Sequence, residues 1–411
     1  MEEPQQHRLS IPRGVWVLGL VSLFMDTSSE MIHALLPVYL TTVLGAGMMT
    51  LGVIEGVAEA VAALTKLFAG ALSDWLGKRK LLTALGYGLA GLSKPVFPLA
   101  PSIGWIVGAR IVDRLGKGIR GAPRDALLAD LTPPEQYQAA YGLRQSLDTA
   151  GAFLGPLIAL ALMVAWQVEI RTVFWIAVFP AMIATALVVF AVTDAPPARM
   201  AGHVDWPIRR QDMARLSRPF WAVLLIAVLM TLARFSEAFL ILRVQGFGLA
   251  LTFVPLVLVL MNIAYALSAY PAGLLAERAQ PPHVLLLGMA ALMAADILLA
   301  ASTGLWMASG GVLLWGLHMG LTQGILSAMI AGTTPPDLRG TGFGLFNLAT
   351  GLAVLLASPI AGALWSAWGP SGAFIGGTVL AGLTCAVLGM VIRTLPEFDQ
   401  TAGSQRPTGR P

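Results

Sequence analysis

The sequence predicts an all-α membrane protein in which two pseudo-symmetric six-helix bundles surround a central cavity. Three observations carry that prediction. Of 411 residues, 56% are apolar and only 12% are charged, about half the charged fraction of ordinary soluble domains, and the mean hydropathy is +0.75. Apolar runs of roughly 20 residues recur along the chain, each long enough to cross a hydrocarbon core of about 30 Å. A segment of the first half also returns in the second: TPPEQYQAAYGL from Thr132 reappears as TPPDLRGTGFGL from Thr334, 202 residues on. AGALSDW from Ala69 and AGLLAER from Ala272 repeat at 203 residues, so two matches at nearly one offset point to duplicated halves.

The spans are expected at 14–43, 49–73, 80–100, 103–130, 135–165, 171–193, 219–246, 250–276, 282–302, 304–330, 340–367 and 371–393. Residues 1–193 then form an N-terminal six-helix bundle and 219–394 a C-terminal one. Between them, 194–218 turns polar and reads as a cytoplasmic linker, while the polar, Gly- and Pro-containing stretch 395–411 reads as a disordered cytoplasmic tail. Within the linker, Pro207 could open a short interfacial helix with Ile208, Met213 and Leu216 opposite Arg209, Arg210 and Arg215; a disordered linker fits equally well. Arg8 and Arg13 precede the first apolar stretch as they would in a signal peptide. That stretch runs on through Asp26 and Glu30 to Leu40 without a small-residue cleavage site, so it reads as a span.

The formal net charge of +4 has a topological explanation. Arg8, Arg13, Lys78, Arg79, Lys80, Arg199, Arg209, Arg210, Arg215, Arg218, Arg278, Arg339, Arg393, Arg406 and Arg410 fall in the termini and in alternate loops. The positive-inside rule makes those loops and both termini cytoplasmic in a bacterial inner membrane, and the basic balance then needs no nucleic-acid partner. Cys385 is the single cysteine; it forms no intrachain disulfide and reads as a packing residue.

Charges inside the spans carry the functional reading. An Arg, Lys or Asp at a helix centre costs about 2.5–3.5 kcal/mol on insertion scales, so such side chains face protein or water rather than lipid. In the fourth span, Arg110, Asp113, Arg114, Lys117, Arg120, Arg124 and Asp125 fall within an arc of roughly 140° at 3.6 residues per turn. Asp26, Ser29, Glu30 and His33 make one stripe on the first span, Glu55, Glu59 and Lys66 share a face of the second, and Arg144 and Asp148 are one turn apart in the fifth. The second half is sparser, with Arg234 and Glu237, Asn262 and Tyr265, His318 and Thr322, and Asn347. Stripes on four helices converge on a hydrated cavity. The bland alternative is a set of structural ion pairs, such as Asp113 with Lys117 or Arg144 with Asp148.

Asp26, Glu30, Asp113 and Asp148 are the candidate proton carriers, because a carboxylate in such a cavity can gain and lose a proton as the cavity changes sides. Lys117, Arg144 and Arg234 are candidate anchors for the acidic groups of an anionic or zwitterionic solute. Glu237, Asn262 and His318 complete the candidate solute-binding set.

Gly70-Ala-Leu-Ser-Asp74-Trp-Leu-Gly77-Lys78-Arg79-Lys80 resembles the cytoplasmic signature of the major facilitator superfamily, with Trp75 where a basic residue is common. The resemblance covers nearly the whole chain. It implies that Asp74 meets a helix N-terminus of the opposite half and that the basic cluster pairs with acids such as Asp130, a gating latch. Arg114-Leu-Gly-Lys117-Gly118 is similar to the family's Arg-x-x-Gln-Gly pattern, with Lys117 for Gln, and implies a proton-coupling role for Arg114. Gly151-Ala-Phe-Leu-Gly155-Pro156-Leu-Ile-Ala159 resembles the antiporter motif, with Ala159 for a Gly, and weights export over uptake. FMDTSSEM, DRLGKGIRGAPRDALLAD and GLRQSLDTAGAFLGP together resemble a prokaryotic branch, some of whose relatives are tied to iron, siderophore or other metal handling.

The resemblance therefore implies a monomeric secondary transporter in the lipid bilayer, moving a small-molecule solute with the proton gradient as energy source and no cofactor. Proton symport of an organic anion or metal chelate is the alternative, and a non-transporting sensor or assembly factor a lesser one. A copper-import pattern fails, because Met230 is followed by Arg234 and Met261 by Tyr265, and no metal site is expected at His318–Met319. Gly369-Pro370-Ser371-Gly372 matches a GxSG protease pattern only at a turn between spans. With no HExxH helix either, no enzyme is expected.

Overall fold

The computed structural model describes residues 11–76, 78–133, 136–193, 213–278, 280–335 and 338–394. The first span is α1 (Arg13–His33), broken at Ala34 and Leu35 and resumed as α2 (Leu36–Val38) and a π turn (Tyr39–Val43). The break has a local cause: Pro37 donates no N–H, and its ring crowds the carbonyl four residues back, that of His33. There follow α3 (Met48–Leu76), α4 (Arg79–Ser93), α5 (Val96–Leu99), α6 (Ile103–Asp130), α7 (Tyr137–Ala165) and α8 (Ile170–Ala191). The second half contributes α9 (Arg218–Ala233), α10 (Ala238–Gln245), a 3-10 turn (Leu251–Phe253), α11 (Leu256–Arg278), α12 (Pro281–Ala301), α13 (Leu305–Thr333) and α14 (Arg339–Thr394). At Gly369, with φ 73°, α14 bends sharply and becomes two arms.

Among the described residues this makes twelve membrane-length rods, although apolarity alone finds nine candidate spans. The difference is physical. The third rod is interrupted at Lys94–Pro95, the fourth (α6) carries the charge stripe, and the two arms of α14 run together as one apolar stretch.

In the first half α1 packs on α7 and α8, α3 and α4 on α6, and α4 on α8. In the second, α11 and α12 pack on α13, and α9 and α12 on α14. The halves meet mainly where α3 lies along the first arm of α14. Gly56 permits that approach, since a Cβ there would stand 3.0 Å from the Leu355 carbonyl oxygen, the close backbone contact that small residues allow between membrane helices. At the end away from the chain termini, α2 touches α10 and α7 touches the Leu251–Phe253 turn. Outward, large apolar side chains such as Phe179, Phe190 and Trp306 stand exposed, a surface suited to acyl chains rather than water. Gly77, most of the linker (194–212) and the tail (395–411) lie outside the described residues.

Candidate functional site

The ionic face of α6 is answered residue by residue from the neighbouring helices. Arg110 holds Glu55 of α3 through both carboxylate oxygens, at 3.1 and 2.9 Å, with both side chains 3% exposed. Asp113 accepts from Lys94 Nζ at 2.8 Å, and Lys94 also donates to Ser29 Oγ at 2.9 Å. Arg114 pairs with Glu59 at 3.1 Å and lies 3.9 Å from Asp113. Nearly two turns further, Arg120 stacks on the Tyr87 ring at 4.5 Å. Arg124 reaches Ser22 and Asp125 at 3.1 Å and Asp148 at 3.9 Å, and Arg144 donates to Asp148 at 3.2 Å. On α1, His33 Nδ1 is 3.3 Å from Glu30 and its Nε2 is 3.9 Å from Glu55.

Two cavities adjoin this network. The larger, of 650 Å³, is lined from the first half by Asp26, Glu30, Lys66, Lys117, Arg120, Arg124, Asp125, Arg144 and Asp148, and from the second by Asn262 and Tyr265. It lies in the half of the bundle nearer the chain termini. The smaller, of 350 Å³, is lined by Glu59 and by Arg234, His318, Thr322, Gln323 and Asn347 of the second half. Arg234 stands where α9 stops and the chain runs extended before α10. His318 is buried, with Nδ1 2.8 Å from the Gly288 carbonyl oxygen.

The structure thus distributes the residues singled out from sequence. Asp26, Glu30, Asp148, Lys117, Arg144 and Asn262 share the larger cavity, and Arg234 and His318 the smaller. Asp113 and Arg114 are buried between helices and line neither cavity, as is also true of the half-buried Glu237. Sequence spacing offers Asp113 a partner in Lys117 one turn on. The structure gives Asp113 to Lys94 instead and leaves Lys117 exposed on the cavity wall, because Lys94 enters from the broken third span at the right height.

At the termini end, Arg79 donates to Asp130 and to the Ala126 carbonyl, while Lys78 is exposed. Gly70 and Asp74 lie in the last turns of α3, and Gly77 lies outside the described residues. Gly155 sits against α1, where a Cβ would meet Glu30 Cβ and the Thr27 carbonyl oxygen at 2.7 Å, and Pro156 follows inside α7. Two buried charges were missed in sequence, Lys94 and Asp296. Each is the one formally charged residue within an otherwise apolar stretch, 81–100 and 282–302, and that isolation was the available signal.

The sequence profile described as Major Facilitator Superfamily matches residues 18–261 and again 224–410. An uncharacterised MFS-type transporter of Methanocaldococcus jannaschii is 30% identical over 395 residues, which is 93% of this chain and 95% of that one. The quinolone resistance protein NorA of Staphylococcus aureus is 24% identical over 197 residues, 48% of each chain. Among solved structures, a POT family transporter in complex with 5-aminolevulinic acid superposes with a TM-score of 0.80 at 12% identity, covering 96% of this chain and 98% of that one, a likeness of fold alone. Twelve rods in two packed sets, a charged cavity between them and a profile match over nearly the whole chain place this protein in the major facilitator superfamily, as a multi-pass membrane transporter.

Proposed function

We propose that this chain is a proton-coupled secondary transporter that exports a small organic solute across a prokaryotic inner membrane by alternating access. The observation that supports it most is the 650 Å³ cavity, in which four acids of the first half (Asp26, Glu30, Asp125 and Asp148) face the same space as Lys117, Arg120 and the second half's Asn262 and Tyr265. Acids able to exchange protons and a solute-sized void then share one compartment, so occupancy of one changes the electrostatic field felt by the other. Contact between the halves at the end away from the termini fits a state open toward the cytoplasm.

Lys117 and Arg234 line cavities with no carboxylate within ion-pair distance among the described residues, which favours a solute bearing an acidic group. Similarity to a resistance protein over half its length and the Gly151–Pro156 motif favour export over uptake. The test compares intracellular and extracellular small molecules in cells with and without the protein, then repeats the comparison with the pH gradient collapsed. A solute that accumulates inside only when the protein is missing or the gradient is collapsed supports the reading. A solute pool unchanged by either perturbation overturns it.

A further inference from the structure

Between the larger cavity and the seam joining the two halves stands one side chain with an acid on each side. His33 is the last residue of α1, and its carbonyl is the one that Pro37 crowds where the first span breaks. Its Nδ1 is 3.3 Å from Glu30 Oε2, and Glu30 lines the cavity. Its Nε2 is 3.9 Å from Oε2 of Glu55, which is 2% exposed. Glu55 is also one of the points where the halves touch: Ser236 Oγ, in the break between α9 and α10, is 3.4 Å from Glu55 Oε2, and Ser236 N donates to Ser358 Oγ of α14 at 3.2 Å. Cavity, imidazole, buried acid and opposite half therefore form one connected series.

We propose that His33 relays a proton between Glu30 on the cavity wall and Glu55 at the seam, and that this transfer controls whether the far ends of the two halves stay together. The inference rests on the proton-coupled reading above and adds the residue that transmits the proton's arrival. Imidazole suits the role because it can accept a proton at one nitrogen and give one up from the other. A proton leaving the Glu30 carboxyl bonds to Nδ1, and the Nε2–H proton passes to Glu55 Oε2 as the two atoms close from 3.9 Å. The ring ends neutral with its hydrogen on Nδ1, Glu30 ends ionised and Glu55 ends neutral.

A neutral Glu55 holds Arg110 less tightly and is a weaker acceptor for Ser236, so the bond between halves weakens in the same event. Glu30 faces the ring from its own helix, Glu55 and Glu59 from α3, Arg110 from α6, and Glu237 from the α9–α10 break. On α7 Asp148 is engaged by Arg144, and on α8 Arg171 is engaged by Tyr39; α2 brings no charge.

The test needs no substrate. In full-length protein carrying Cys385→Ala, spin labels at Val43→Cys and Phe253→Cys, both exposed at the far ends of opposite halves, report the far-end separation in lipid nanodiscs across a pH series. For the otherwise native protein, lowering the pH is expected to shift the distance distribution toward longer separations, because a proton delivered to Glu55 weakens its hold on Arg110 and Ser236. With His33→Gln, which keeps the hydrogen-bonding capacity but carries no exchangeable charge, loss of that shift is expected, with the same loss for Glu30→Gln. A His33→Gln protein that follows the native pH curve overturns the relay and leaves proton coupling standing. A native protein whose distances ignore pH overturns both. If His33→Gln fails to elute as a folded species, Glu30→Gln decides: an unchanged pH curve there overturns the relay.

Discussion

Arg110→Met breaks the most enclosed ion pair of the network, and its cost can be worked from the geometry. Glu55 and Arg110 are 2% and 3% exposed, so neither side chain can turn to water once its partner is gone. Breaking a buried pair by removing one partner costs about 3–5 kcal/mol, chiefly through the uncompensated charge left behind. Here the stranded Glu55 keeps His33 at 3.9 Å and Ser236 at 3.4 Å, which places the expected loss near the lower end, about 3 kcal/mol. Removing both charges with Glu55→Leu and Arg110→Met leaves no buried charge at that spot and is expected to restore stability to within about 1 kcal/mol of the parent, or to exceed it. The assay is a double-mutant cycle of reversible unfolding in mixed micelles, followed by tryptophan fluorescence. If Arg110→Met alone costs less than about 1 kcal/mol, or if the double variant is no better than the single, the pair is not dry and the reasoning from burial is refuted.

Gly155→Ala places a methyl 2.7 Å from Glu30 Cβ and the Thr27 carbonyl oxygen, so α1 and α7 must separate, at about 1–3 kcal/mol; an unchanged thermal midpoint would show that the helices are not in backbone contact. Asp26→Asn with Asp148→Asn is expected to abolish solute flux driven by a pH gradient while solute-for-solute exchange persists, measured in vesicles; gradient-driven flux surviving in the double variant removes both residues from coupling. Asp296 is fully buried, and neither carboxylate oxygen has a hydrogen-bond partner among the described residues. Asp296→Leu therefore relieves an unsatisfied polar group and is expected to raise stability by about 1–3 kcal/mol, so a drop in the unfolding midpoint would reveal a partner.

The faces of the helices were legible in the sequence because a stripe at helical spacing is a one-dimensional pattern. Asp26, Glu30 and His33 on α1, and the long run on α6, all turn inward. The partners were not legible, because they depend on which helix lies opposite at which height. Asp113 is satisfied by a lysine 19 residues earlier in another rod, and Arg110 by a glutamate 55 residues earlier. The break before Pro37, which the uninterrupted 14–43 reading passed over, has a local cause, whereas the break at Arg234–Glu237 has none: Ala-Arg-Phe-Ser-Glu holds neither proline nor glycine, and Ser236 bonds across to Ser358 in the other rod. Pairings that cross the molecule are set by packing, which no local spacing encodes.

The repeat makes the contrast between the halves quantitative. Lys94 and Asp113 precede Asp296 and Trp315 by 202 residues each, the offset that relates Thr132 to Thr334. In the first half those positions form a buried ion pair between α4 and α6; in the second, α12 packs on α13 in the same way, but the pair has become an acid and an indole, each buried and unpartnered among the described residues. Around them the second half places Phe235, Phe239, Trp315, Trp365 and Phe374 in edge and tilted contacts at 5.4–6.2 Å, and at the same offset the first half's Glu55, Glu59, Arg110 and Arg114 answer to Val257, Met261, Val312 and Gly316. An aromatic interior is close-packed and indifferent to protons, so it moves as a body. An ionic interior changes its own bonds whenever a proton arrives or leaves. The two matching halves are thus filled in two ways, and the relay proposed above would lie in the ionic filling, the one whose bonds between side chains a proton can alter.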